Sequence, residues 1–145
     1  MIEVPGASRI CYGGKGDQRY GVFNAPITGK VLRFILINVE GGFYCSLTTV
    51  SKSIWGCLSK PDIVVTDSND DVLEPSRIVL RNSTLTAEVN GRLFYVLFSP
   101  VVVQQEQEFR IWTSESLFGR TMKSSTDVTG SHCVQISMGY LATKD

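Results

Sequence analysis

A surplus of either charge and a long apolar run are both missing from this sequence, and each absence excludes a class of protein. Fourteen basic residues balance fourteen acidic ones, so the formal net charge is zero. Nucleic-acid-binding proteins usually carry a basic surplus, so we expect no nucleic-acid partner. No run of about 18 apolar residues, the length of a membrane-spanning helix, occurs, so we expect no membrane insertion.

Residues suited to catalysis are scarce as well. His132 is the only histidine, and it adjoins Cys133. No G-x-S-x-G nucleophile elbow occurs, and Gly13-Gly14-Lys15-Gly16 departs from the spacing of a phosphate-binding loop. No feature selects a pair of carboxylates for glycoside hydrolysis. The sequence therefore predicts a protein that is not an enzyme, and the alternative is an enzyme that depends on His132.

The four cysteines, Cys11, Cys45, Cys57 and Cys133, lack the C-x-x-C spacing of a zinc site. An even number in a small domain favours two disulfides, with three possible pairings, over four reduced thiols. Disulfides persist outside the cytosol. Residues 1–6 show no signal-peptide pattern, which fits an intracellular protein or a mature secreted chain. The cysteines, with the sequon at Asn82, favour a secreted, extracellular protein.

The pattern of apolar residues predicts strands and no helix. Short runs of β-forming residues alternate with Gly, Pro, Asn, Asp and Ser, and no segment keeps a 3.6-residue period. Asn90-Gly91 lies between two apolar runs and predicts a hairpin. The sequence thus predicts one all-β domain over residues 1–145, an antiparallel β-sandwich or jelly roll of about nine to ten strands. The predicted strands are Ser8–Tyr12, Arg19–Phe23, Lys30–Glu40 (broken by Gly41-Gly42), Phe43–Thr49, Asp62–Asp67, Arg77–Leu80, Thr84–Val89, Arg92–Phe98, Glu108–Thr113 and His132–Leu141.

Two groups of residues are candidates for ligand binding in loops at one end of the sandwich. Along Glu108–Thr113, period-two alternation puts Phe109 and Ile111 in the core and directs Arg110 and Trp112 outward. With Glu115 these would supply a donor fork, an aromatic face and a carboxylate. The alternative is that an outward Trp112 covers the interface of a homo-oligomer, because Arg and aromatic residues are enriched at subunit interfaces.

The second group is Asp67, Asn69 and Asp71. They alternate like the first ligands of an EF-hand, but Val72 and Ile78 stand where that loop needs Gly and Glu. A solvated hairpin tip is favoured, with a calcium site as the alternative, and no other cofactor is expected. In either case the oxygen atoms of this group are acceptors for ligand hydroxyls.

Three segments resemble an extracellular β-sandwich module that recurs in secreted proteins of marine invertebrates. They are Tyr20–Pro26, Cys45 with Ser53-Ile54-Trp55-Gly56-Cys57, and Phe109–Leu117 with Gly130–Val134. The resemblance implies a secreted module with a disulfide loop around S-x-W-G-C. Tyr20–Pro26 also resembles a corner of the C1q-like jelly roll. Many small modules of this kind in marine invertebrates are lectins.

From these observations we predict disulfides Cys45–Cys57, closing a short loop, and Cys11–Cys133, joining the first strand to the last. Trp55, inside the short loop, is a candidate for stacking on a sugar ring. The predicted function is a lectin-like, carbohydrate-binding module whose partners are glycans or glycoproteins. The alternative is a structural or adhesive module that contacts other proteins through a sheet face.

Overall fold

The protein is all-β in the residues that the computed structural model describes, which are 1–13, 20–44, 63–74, 86–89, 91–113 and 129–142. Ten strands and no helix lie within these ranges. They form two antiparallel sheets, which confirms the predicted β-sandwich. The strands are β1 (Ile2–Pro5), β2 (Ile10–Gly13), β3 (Tyr20–Asn24), β4 (Gly29–Tyr44), β5 (Ile63–Asp67), β6 (Val72–Glu74), β7 (Thr86–Val89), β8 (Arg92–Val103), β9 (Glu108–Thr113) and β10 (Thr129–Tyr140).

The larger sheet has the strand order β1-β10-β4-β8-β7, and β2 also pairs with β10. Its centre is the pair of long strands β4 and β10, which run antiparallel along most of their length. The smaller sheet has the order β3-β9-β5-β6, so β9 lies between β3 and β5. Side chains on the outer face of β9 therefore have β3 on one side and β5 on the other.

The core lies between the two sheets and is filled by side chains that alternate along each strand. Phe34 of the larger sheet contacts Phe23 and Phe109 of the smaller one, with ring centroids 6.0 and 5.9 Å away. Phe23 and Phe109 stack on each other at 5.6 Å. Burial of three aromatic rings contributes several kcal/mol to folding, so this packing is a main stabilising contact between the two sheets.

Two turn predictions have clear outcomes. The hairpin at Asn90-Gly91 is confirmed in its strands, since β7 pairs with β8 and Gly91 has a φ of 77°, in the left-handed region that glycine favours. The predicted break at Gly41-Gly42 is wrong, because β4 continues to Tyr44. Just before these glycines, the register to β10 shifts between Cys133 and Val134, so β4 accommodates Val39 as an extra residue in a bulge.

Other predicted strands agree in part with the structure. Strands β1 and β6 were not predicted, since Ile2–Pro5 and Val72–Glu74 are too short to show a period. The prediction at Arg77–Leu80 and most of that at Phe43–Thr49 lie outside the described residues.

The predicted disulfide Cys11–Cys133 is present and joins β2 to β10. The two cysteines are directly opposite in the register of these antiparallel strands, with their Cα atoms 4.0 Å apart. The neighbouring register pair is Tyr12 and His132, which are hydrogen-bonded to each other. The predicted pair Cys45–Cys57 lies outside the described residues.

Replacing both Cys11 and Cys133 with alanine is expected to lower the free energy of unfolding by about 4–5 kcal/mol, the chain-entropy value for a loop of this length. The bridge closes a loop with a sequence separation of 122 residues. Urea unfolding of the double variant against the wild-type protein, both without reductant, measures the difference. An unchanged midpoint would contradict a stabilising role for this bridge.

Candidate functional site

Polar side chains collect on the outer face of the smaller sheet, where β5 ends and β9 begins. The alternation predicted for β9 is confirmed, since Phe109 and Ile111 are fully buried in the core. Arg110 therefore lies on the opposite face, on the same side of the strand as Glu108 and Trp112. Across the sheet, Arg110 is opposite Val22 of β3 and Thr66 of β5.

The guanidinium of Arg110 is fixed by three contacts. Its Nη1 donates to Asp70 Oδ1 at 2.8 Å, and its Nε donates to Glu108 Oε2 at 3.0 Å. Its Cζ lies 4.5 Å from the ring centroid of Tyr20, within the range of a cation–π interaction. The hydrogen bond to Asp70 raises the pKa of Arg110 above its usual value. We call these four residues the Arg110 cluster.

The Arg110 cluster is accessible to solvent. The side chain of Arg110 is 20% exposed, and those of Asp70 and Glu108 are 47% and 38% exposed. Ion pairs this exposed add little stability. These ion pairs instead fix the position of the guanidinium, because they hold this planar donor between the carboxylates of Asp70 and Glu108 at an open surface.

The position of Trp112 corrects the expectation of an available aromatic face. Its outward direction is as predicted, but the side chain is only 6% exposed. The indole Nε1 donates to Thr66 Oγ1 at 2.9 Å, and the indole lies 4.6 Å from the ring of Tyr20. Thr66 and Val64 of the same outer face are buried too. Trp112 thus supports Tyr20 and offers no open face to a ligand.

The Asp67–Asp71 turn is built around the carboxylate of Asp67. Its Oδ1 accepts hydrogen bonds from the backbone N–H groups of Asn69, at 2.8 Å, and Asp71, at 3.0 Å. Asp70 has a φ of 64°, which aspartate tolerates better than most residues. Asp67 therefore shapes the turn, and the turn presents Asp70 to Arg110.

The two candidate groups from the sequence are thus brought together. Thr66 and Asp67 pair with Arg110 and Phe109 in the register of β5 and β9, and the ion pair between Asp70 and Arg110 joins turn to strand. Trp55 and Glu115 lie outside the described residues. Across the described ranges, no three or more His, Cys, Asp or Glu side chains are grouped to hold a metal ion. Calcium binding at this turn stays the untested alternative to a solvated hairpin tip.

Three members of the Arg110 cluster were not predicted from the sequence. Glu108 lies two residues before Arg110 on one strand, and Asp70 lies inside a turn already selected, so both carried a usable signal. Tyr20 carried none, because its contact with Arg110 depends on the pairing of β3 with β9.

A second turn at the same end of the sandwich is held by hydrogen bonds. Asn24 Nδ2 donates to the carbonyl oxygen of Glu106 at 2.9 Å. The backbone N–H of Gln105 donates to Thr28 Oγ1 at 2.8 Å, and that of Ala25 to the carbonyl oxygen of Gln107 at 2.9 Å. The loops that adjoin the Arg110 cluster therefore have defined positions.

His132, the one candidate base, lies away from this end and is buried. Its Nε2 donates to Asn38 Oδ1 at 2.8 Å, since an amide oxygen only accepts. Its Nδ1 then accepts from the hydroxyl of Tyr12 at 2.8 Å. Burial lowers the pKa of His132 to about 4, so the ring is neutral at physiological pH. The adjacent Cys133 is in a disulfide and is no nucleophile.

A solved structure of the lectin AJLec, from the sea anemone Anthopleura japonica, is similar to this chain with a TM-score of 0.66. The two are 20% identical, and the match covers 97% of this chain and 98% of that one. At this identity the likeness shows a shared fold. It agrees with the resemblance to lectin-like modules of marine invertebrates. No protein-family model and no curated protein sequence matches. Among the described residues, no helix is long and apolar enough to cross a membrane.

His132 makes stability depend on pH. Because its pKa falls from 6.5 to about 4 on folding, the unfolded chain binds one more proton between these values. The contribution of neutral His132 to the free energy of unfolding is therefore complete above about pH 6.5. It is lost as the pH falls toward 4, by roughly 3 kcal/mol for the full shift. Urea unfolding at several pH values measures this loss.

The matched variant is His132→Gln, which carries no titrating group at this position. Its free energy of unfolding is expected to fall less steeply than that of the wild-type protein between pH 6.5 and 5. Equal slopes for the two proteins would show that His132 titrates normally.

Proposed function

We propose that the protein is an extracellular, lectin-like module that binds carbohydrate at the Arg110 cluster and the adjoining Asp67–Asp71 turn. The observation that carries the proposal is the fixed guanidinium between two exposed carboxylates. Sugar hydroxyls both donate and accept hydrogen bonds, so they match a site in which planar donors and acceptors alternate. The fold shared with a lectin supports the same conclusion.

The cluster can bind a sugar without rearrangement. A guanidinium has five N–H donors, and the two ion pairs engage Nε and Nη1. Within the contacts of the described residues, Nη2 is left to donate to a ligand. Charge-assisted hydrogen bonds are roughly twice as strong as neutral ones, so a few of them suffice for a shallow site. Since the cluster is already ordered, the entropic cost of binding is low.

The extracellular location is supported by the Cys11–Cys133 disulfide, because reducing conditions in the cytosol keep cysteine thiols reduced. The same bridge holds the edge of the sheet that packs behind the candidate site. A module that acts outside the cell also meets glycans and glycoproteins as its natural partners.

A second candidate function is a structural or adhesive module, and one surface favours it. On the outer face of the larger sheet, the guanidinium of Arg33 lies 5.4 Å from the ring centroid of Phe94. Val96, opposite Arg33 in the register, is 39% exposed. Arg and aromatic residues are enriched at protein interfaces, so this face suits a protein partner.

The variant Arg110→Met tests the proposed site, since it keeps the length of the side chain and removes the donors. Losing a hydrogen bond to a charged group costs about 1.5–3 kcal/mol, so glycan affinity is expected to fall at least about tenfold. The measurement is binding to a glycan array, followed by titration calorimetry with the best glycan. Arg92→Met, at an exposed position of β8 in the other sheet, is the matched control.

Both variants are also run on size-exclusion chromatography. Full glycan binding by Arg110→Met would show that the sugar site lies elsewhere. Unchanged binding with a shift to a smaller species would instead assign this face of the smaller sheet to contacts between copies of the protein.

A further inference from the structure

The charges around Arg110 are unequal. Within the described residues of the smaller sheet and its turn, Arg110 is the only cationic residue. Acidic residues occur there at Asp67, Asp70, Asp71, Glu74 and Glu108. Asp70 and Glu108 contact the guanidinium directly, so the positive charge of Arg110 is more than balanced at the surface that a ligand reaches.

From this arrangement we propose that the site binds uncharged glycans and excludes glycans that carry a carboxylate or a sulfate. The inference rests on the proposed function, because it assigns a ligand class to the same site. Glu108 and Asp70 are its specificity-determining residues.

The hydrogen-bond geometry is the first reason. An anionic group is bound most strongly when it takes two parallel N–H groups of one guanidinium. Here the edge formed by Nε is already occupied by Glu108, and Nη1 is occupied by Asp70. A sialic acid carboxylate or a sulfate could therefore form a two-bond contact that uses either of these N–H groups only by displacing Glu108 or Asp70, with no gain in the number of charge-assisted bonds.

Electrostatic repulsion is the second reason. An anion placed beside Arg110 also lies near the carboxylates of Asp70 and Glu108. Because these carboxylates are exposed, the repulsion is strongest at low ionic strength, where salt screens it least. A hydroxyl group experiences no such repulsion. It donates to a carboxylate oxygen and accepts from a guanidinium N–H, so two adjacent hydroxyls can engage Glu108 or Asp70 and Arg110 together.

The aromatic residues do not offset this selection. Trp112 is buried, and one face of Tyr20 is covered by the guanidinium. Neither ring supplies a free platform on which a sugar could stack regardless of its charge. Recognition at this site therefore depends on the hydroxyl groups of the ligand.

The test uses the wild-type protein on an array that carries neutral oligosaccharides, each beside its sialylated and its sulfated derivative. We expect each bound neutral glycan to be held at least about tenfold more tightly than either derivative. Because exposed charges are screened by salt, this preference is expected to be larger at 0.02 M than at about 0.5 M sodium chloride.

The variants Glu108→Gln and Asp70→Asn each remove one negative charge and keep the shape of the side chain. Each is expected to weaken binding of the neutral glycan and to shrink the neutral-to-anionic preference by about tenfold. Glu3→Gln, at an exposed position of β1 in the other sheet, makes the same change in net charge and is expected to leave the preference unchanged. Circular dichroism and melting temperature identify any variant that is not folded. If either Glu108→Gln or Asp70→Asn is unfolded, the neutral-to-anionic preference of the other is the test.

The failures are distinguishable. Wild-type protein that binds sialylated or sulfated glycans as tightly as their neutral parents would overturn the inference and leave the proposed function standing. A preference that is the same in Glu108→Gln, Asp70→Asn and Glu3→Gln would overturn the role of the two carboxylates. Binding to no glycan on the array would overturn the proposed function and the inference together.

Discussion

The contact of Phe109 with Phe23 and Phe34 determines where the candidate site can be. This contact holds the smaller sheet against the larger one. Because side chains alternate along a strand, placing Phe109 inward places its neighbours Glu108 and Arg110 outward. A slip of β9 by one residue would bury Arg110 and expose Phe109, at a cost of several kcal/mol. The position of the guanidinium is thus fixed by apolar packing on the opposite side of its own strand.

How much the sequence predicts differs between the fold and the site. The strands, the alternation of β9, the β7–β8 hairpin and the Cys11–Cys133 bridge all follow from local patterns or from simple counting. The burial of Trp112 does not, because alternation gives the face of a side chain and says nothing of what covers that face. The place of Tyr20 depends on strand order, which brings together residues 90 positions apart. The turn at Asp67–Asp71 was predicted, but its link to Arg110 through Asp70 needed the register of β5 with β9.

The sequence and the structure suggest different roles for His132. As the only histidine it was the natural candidate for a base, yet it is buried between Tyr12 and Asn38 with a pKa near 4. Its neighbour Cys133 extends to the opposite face of β10. The two successive register pairs, Cys11 with Cys133 and Tyr12 with His132, therefore attach β2 to β10 by a covalent bond on one face and a hydrogen bond on the other.

The division of this edge between two strands limits how another molecule could pair with it. Strand β1 pairs with Ser137–Tyr140 of β10 and β2 pairs with Ser131–Val134, while the backbone of Gly6 and Ala7 bonds to Ile136 between them. In the described part of the chain, the rim of the larger sheet is therefore two four-residue pieces, and the first ends at Pro5, which has no N–H to donate. A neighbouring molecule finds no long row of unpaired amides there to extend. The edge that the disulfide secures is thus a poor template for pairing with a strand of another molecule.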